Sequence, residues 1–154
     1  MPIHSSLSLV IDSNIWIHLY YCRLVDAVFK LGSLHVPNLM LIREPLTELS
    51  WKDLQDMGVI LDELPSDSMR IVLQIAEARR DVSVCDVACL VLSEQLHVPL
   101  VTNDKDLRKL GANRHALLHD FDALLDLMVT AGIIDDSVRA AAIQTLVKHN
   151  MRPH

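Results

Sequence analysis

The sequence is short of glycine (4 residues), proline (6) and aromatic side chains (4%). Collagen-like repeats, low complexity and intrinsic disorder are therefore excluded, and a compact fold is expected. Long apolar runs are also missing: none reaches the roughly 18 residues that a membrane-spanning helix needs, so no membrane association is expected. Cysteine is limited to Cys22, Cys85 and Cys89. That odd number, with no secretory leader before the first strand-like segment, argues against a disulfide framework and for a reducing, cytoplasmic setting. Cys85 and Cys89 lie four apart on one prospective helix face, but no second Cys or His pair stands at ligand spacing, so they read as buried thiols. Positive charge is scarce as well. The formal net charge is −6, which weighs against a protein that grips nucleic acid through its overall field. A cluster of carboxylates offset locally by a divalent metal would accommodate that sign.

What is present is Leu, Val and Ile: 51% of the 154 residues are hydrophobic. One well-cored domain over residues 1–154 is expected, with a core over about 7–118 and a helical extension over about 119–150. The apolar run at residues 7–11 stops at Asp12-Ser13-Asn14, as a buried parallel strand leading into a helix would. Helical spacing continues from Ile15 to Leu31, and Gly32 ends it. Leu34–Pro37 reads as a second strand. After it, Asn38 is placed to cap a helix running to Leu49, which Pro45 should kink or restart near Arg43-Glu44. A third strand is expected at residues 58–61, with helices opening at Ser66, to about Arg80, and at Ser83, to about His97. A fourth strand covers residues 98–102, and a short helix from Lys105 should stop at Gly111. A candidate strand near 116–118 and helices at about 120–130 and 136–149 complete the chain. Strands alternating with helices predict an α/β fold: a central parallel sheet with helices on both faces and a helical C-terminal extension.

In open α/β sheets, ligands bind beyond the carboxyl ends of the strands. Two strands here end in Asp12 and Asp104 at that position. A carboxylate at the tip of a buried strand calls for a cation or for several donors, although each could equally cap the helix that follows. Asp86 stands three residues after Ser83, the spacing of a capping box, in the first turn of a helix that can face the same edge. Three acids from separated stretches make an oxygen-rich site suited to Mg²⁺ or Mn²⁺, the ions that phosphoryl-transfer enzymes use. Lys105 and Arg108, with Lys109, Arg114 and Arg79-Arg80, are candidate contacts for substrate phosphates or simply a solvated helix face. The eight His are scattered, without a ligand-like pair.

Val10-Ile11-Asp12-Ser13-Asn14-Ile15-Trp16-Ile17 resembles the opening strand and turn of PIN domains. Ser83 to Glu94 resembles the family's third acidic motif, an Asp near the start of an Ala- and Leu-rich helix. His97 to Arg108, with Thr102-Asn103-Asp104 at the strand end, resembles the fourth. The three stand in the family's order over residues 7–111, and residues 115–153 resemble the C-terminal helices of a prokaryotic subgroup similar to VapC-type toxin ribonucleases. The resemblance implies a second acid on the helix after the second strand. Glu44 has the better position for it and Glu48 the more family-like local context, and Pro45 departs from the pattern. It further implies hydrolysis of RNA phosphodiesters in which Asp12 and Asp104 hold a metal and Asp86 and Glu44 act as ligands or bases. Ser13, Asn14 and Thr102 would then orient carboxylates or water. A homodimer and an antitoxin partner are implied in the same way.

Two further classes of strand-end carboxylate enzyme fit less well. A haloacid-dehalogenase-type phosphatase needs a second Asp where Asn14 stands, and a response-regulator-like domain needs a strand-terminal Lys that has no convincing counterpart. The alternative from another class is a PIN-like module that binds RNA or protein without cleaving.

Overall fold

The computed structural model describes residues 7–151; the ends of the expected 1–154 domain lie outside them. Among the described residues, five parallel strands form one sheet in the order β3-β2-β1-β4-β5. They are β1 (Leu7–Ile11), β2 (Gly32–Pro37), β3 (Ile60–Asp62), β4 (Leu100–Val101) and β5 (Leu118–His119). The α-helices that connect and follow them are α1 (Ser13–Tyr21), α2 (Val25–Val28), α3 (Leu39–Arg43), α4 (Trp51–Met57), α5 (Ser66–Ala78), α6 (Val84–Leu96), α7 (Lys105–Asn113), α8 (Phe121–Thr130) and α9 (Asp136–Lys148). The expected α/β class, with a parallel sheet flanked by helices, is what the chain adopts.

The strand order explains where the chemistry can lie. β1, β2 and β3 step outward in one direction, and the α5–α6 crossover returns the chain to β4 on the other side of β1. The order therefore reverses between β1 and β4, and the crevice beyond their carboxyl ends is the ligand-binding position of such sheets. The central strand has no solvated face: Leu9, Val10 and Ile11 are all fully buried, which is why β1 reads as a continuous apolar run rather than an alternating one. Helix α6 is likewise apolar almost all round, with Cys85 and every residue from Val87 to Ser93 buried. Such a helix belongs in the interior rather than at a surface. Phe121, Leu124, Leu125 and Met128 of α8 and Ala142 and Leu146 of α9 join the same core as the sheet.

Local departures from the sequence reading have local causes. The helix expected from Ile15 to Leu31 breaks after Tyr21, where Arg23 takes a left-handed φ of 58°, and resumes as α2 followed by a 3-10 turn, Phe29–Leu31. Gly32 both closes that turn and begins β2. At its φ of +149°, a Cβ would run into the Leu7 carbonyl of the paired strand, so glycine permits the close approach of β1 and β2. The helix expected from Asn38 to Leu49 stops at Arg43. Asn38 makes no side-chain cap there. Pro45 disfavours the α conformation at the residue before it, and Glu44 accordingly sits at φ −125°, ψ 78°. The chain re-enters a helix only at α4, capped by the Ser50 hydroxyl accepting from the Asp53 amide at 3.0 Å, an element the sequence reading did not foresee. β3 lies two residues later than expected at its start. Gly111 does not stop α7, which runs on to Asn113; it is buried, and a Cβ there would meet the Leu118 side chain at 3.0 Å.

Candidate active site

Asp12 is the residue on which the site is built. It follows β1 and caps α1, its Oδ1 accepting from the Ile15 amide at 3.0 Å. Its Oδ2 accepts a short hydrogen bond from the Thr102 hydroxyl at the end of β4, and the Asp12 amide donates to the Val101 carbonyl at 3.3 Å. The carboxylate thus spans the switch point between β1 and β4.

Capping does not account for this placement. Asp135 caps α9 in the same way, accepting from the Val138 amide at 2.9 Å. It is exposed, and the donors around it hold its pKa below the usual value. Asp12 is only 2% exposed. Burial drives its pKa up to about 7 against the lowering effect of Thr102 and Ile15, and the charges of Asp86 and Asp104 push in the same direction as burial. A lone cap would gain more at the surface, where water supports its charge.

Asp104 caps α7, Oδ1 accepting from the Leu107 amide at 2.8 Å, while its own amide donates to the Thr102 hydroxyl oxygen at 3.1 Å. One hydroxyl therefore ties both residues together: Thr102 is fully buried, donating to the Asp12 carboxylate and accepting from the Asp104 amide. Asp86 lies in the first turn of α6, whose N-cap Ser83 accepts from the Asp86 amide at 3.0 Å. The Ser83 hydroxyl and amide in turn support the Asp86 carboxylate, and this lowering is outweighed by burial and by the charge of Asp104, so that the pKa of Asp86 is raised. The expected capping box is present.

Glu44 adds, as the smallest of the causes, to the charge felt by Asp86, which puts it on the Asp86 side of the crevice. It is not on a helix, as the resemblance implied. It follows α3, held in place by Pro45 on one side and by the Trp51 indole, which donates to the Glu44 carbonyl at 2.7 Å. Glu48 faces elsewhere: it accepts from the Tyr21 hydroxyl at 3.1 Å. Of the two glutamates, Glu44 is the one grouped with Asp86.

The remaining candidates divide. Thr102 occupies the bridging position just described. Ser13 is half-buried and Asn14 exposed, and among the described residues no hydrogen bond links either side chain to the carboxylates. Lys105 is exposed in the first turn of α7. Arg108 is half-buried and donates to the Thr102 carbonyl at 3.0 Å, so its guanidinium braces the end of β4. Sequence reasoning missed three supports. Trp51 anchors Glu44, and Asn103 ties β4 to α8 by accepting from the Phe121 amide at 2.9 Å. Beneath the acids, Cys89 lies 3.7 Å from the Met40 sulfur, an apolar floor that deepens the desolvation. Only Cys89 carried a signal, as one of a pair of cysteines at helical spacing.

The donor set suits a hard divalent cation: carboxylate oxygens only, drawn from four stretches of the chain, with Asp12 and Asp86 held above the usual carboxylate range. As they stand, no group of three or more His, Cys, Asp or Glu side chains among the described residues is closed around a single point. No family model matches the chain, and no curated protein matches it.

Proposed function

We propose that the protein is a divalent-metal-dependent endoribonuclease of the PIN-domain type, hydrolysing RNA phosphodiesters at the crevice between β1 and β4. The observation that carries this reading is Asp12: a buried carboxylate at the topological switch point, pressed by two further aspartates and, among the described residues, paired with no basic side chain. Leaving such a group without a cation is costly. Asp12, Asp86, Asp104 and Glu44 would hold Mg²⁺ or Mn²⁺, which in such sites lowers the pKa of a water and offsets charge on the leaving oxygen. Thr102 fixes the Asp12 carboxylate and the Asp104 backbone relative to each other, so one hydroxyl sets the spacing of two ligands. Asp86, in the first turn of α6, would serve as a further ligand or take the proton of the attacking water.

The test is cleavage of a labelled RNA with Mn²⁺, with EDTA, and with the variants Asp12→Asn and Asp104→Asn. Loss of one aligned carboxylate should reduce the rate by at least about 100-fold. Equal cleavage by wild type and Asp12→Asn, or cleavage in EDTA, would place the activity outside this site, and no cleavage at all would favour the non-catalytic binding module. A toxin role is a further proposal within the same reading; growth arrest on expression, abolished by Asp12→Asn, would support it.

A further inference from the structure

In this aromatic-poor chain, Trp16, Trp51 and Phe121 are buried and Phe29 packs on the core. The two tyrosines are placed differently. They end α1 side by side, their rings 5.6 Å apart and nearly perpendicular, and His149, just beyond α9, stacks against Tyr21 at 4.9 Å. Tyr20 is 43% exposed and His149 is exposed. The group is pre-set, because Tyr21 donates its hydroxyl to Glu48.

We propose that Tyr20, Tyr21 and His149, flanked by Arg23 and Lys148, form a stacking surface for the bases of single-stranded RNA. Three observations favour that occupant. Arg23 stands two residues after Tyr21 and Lys148 next to His149, both are exposed, and among the described residues neither makes an ion pair. Aromatic rings beside such cations are the combination that holds single strands, since every base offers a π-face and every nucleotide a phosphate. Glu48 repels phosphates from the ring edge nearest it, which turns bases rather than backbone toward Tyr21.

The third observation is position. Helix α1 begins next to Asp12 and ends at Tyr21, nine residues or roughly 13 Å along its axis. Residues 44–50 run from Glu44, whose charge reaches Asp86, to Glu48 at the Tyr21 hydroxyl. A strand held at the crevice reaches the rings after a few nucleotides. Bases paired in a duplex are stacked within the helix and cannot lie on these rings, so the surface selects unpaired RNA.

This inference takes its substrate from the nuclease reading, but its test measures binding, not cleavage. In an Asp12→Asn background with EDTA, fluorescence anisotropy of a labelled oligouridylate and of a perfectly paired RNA duplex is compared for the parent, Tyr20→Ala, Tyr20→Leu, His149→Ala and Tyr21→Phe. Thermal melts of each variant verify folding. Tyr20→Ala, Tyr20→Leu and His149→Ala should each weaken single-strand binding about tenfold and leave duplex binding unchanged, while Tyr21→Phe keeps its ring and its affinity. The inference is overturned if Tyr20→Leu binds as the parent does, if single strand and duplex weaken alike, or if the variants alter sedimentation of the protein but not RNA affinity, which would make the surface a contact between copies of this chain. Patch-dependent binding without cleavage by wild type would remove only the nuclease reading. Cleavage with patch-independent binding would remove only this one.

Discussion

At the scale of single residues, Asp12 is defined by a conflict between its place in the chain and its charge. Its folded pKa of about 7 lies above the ordinary 3.8, so in metal-free protein the folded state binds a proton that the unfolded state releases. That stabilisation is complete below pH 3.8 and is lost as the pH rises through about 7. Asp12→Asn, which cannot ionise, should therefore match wild type only below pH 3.8 and should gain on it by about 2–3 kcal/mol between pH 5 and pH 8. Urea titrations at the two pH values in EDTA would show it, and an equal difference at both would mean that Asp12 ionises freely. The position of Asp12 at a strand end was legible in the sequence, because a five-residue apolar run that stops at an acid marks the point where a buried strand meets solvent or a ligand. Its burial was not, since that depends on Thr102 and on α6 arriving from ninety and seventy residues away. Glu44 was the least legible residue. The resemblance called for a helical glutamate, and Pro45 removed the helix, leaving Trp51, which carries no sequence signal for this role, to anchor the peptide.

At the scale of elements, caps and one glycine decide whether the carboxylates meet. Ser83 holds the first turn of α6 and supports Asp86, so Ser83→Ala should cost about 1 kcal/mol of stability. The pKa of Asp86 should stay raised in that variant, because burial is the main cause of its shift. Denaturant unfolding measures the first effect. Gly32 fixes the registry that sets Leu7 opposite it and hence the end of β1 at Asp12. Gly32→Ala forces a Cβ toward the Leu7 carbonyl in a backbone region that suits glycine alone, and should cost more than about 2 kcal/mol or prevent folding. A stable, wild-type-like Gly32→Ala protein would show that β1 and β2 are spaced differently. The caps at Asp12, Ser83 and Asp104 were readable because side-chain caps leave a short local pattern. Gly32 was read as a helix end, since the approach of a distant strand has no local trace. Gly111 was misread in the same way: α7 continues through it because Leu118 of β5 leaves little room for a side chain.

At the scale of the whole molecule, the fold follows from one topological fact, that the chain reverses its direction of travel across the sheet between β3 and β4. Alternating strands and helices made the parallel sheet predictable. The strand order was not, because nothing local tells β4 on which side of β1 to lie. Stability is unevenly spread over this frame. Helix α6 is buried almost throughout, whereas α9 buries only Ala142 and Leu146. Amide hydrogen exchange should therefore protect α6 to the limit of global unfolding and release α9 earlier. Equal protection of both would imply that α9 is locked by contacts beyond those two residues. Among the described residues no helix is long and apolar enough to cross a membrane.

The proposal that four carboxylates around the β1–β4 crevice form a divalent-cation centre is tested most directly by titrating Mn²⁺ into metal-free protein near pH 8, with free Mn²⁺ followed by electron paramagnetic resonance. Wild type should bind Mn²⁺ at this pH, where Asp12 with its pKa of about 7 is already ionised, and Asp12→Asn should bind at least about tenfold more weakly. Absence of Mn²⁺ binding by wild type, or equal affinity in Asp12→Asn, would contradict it.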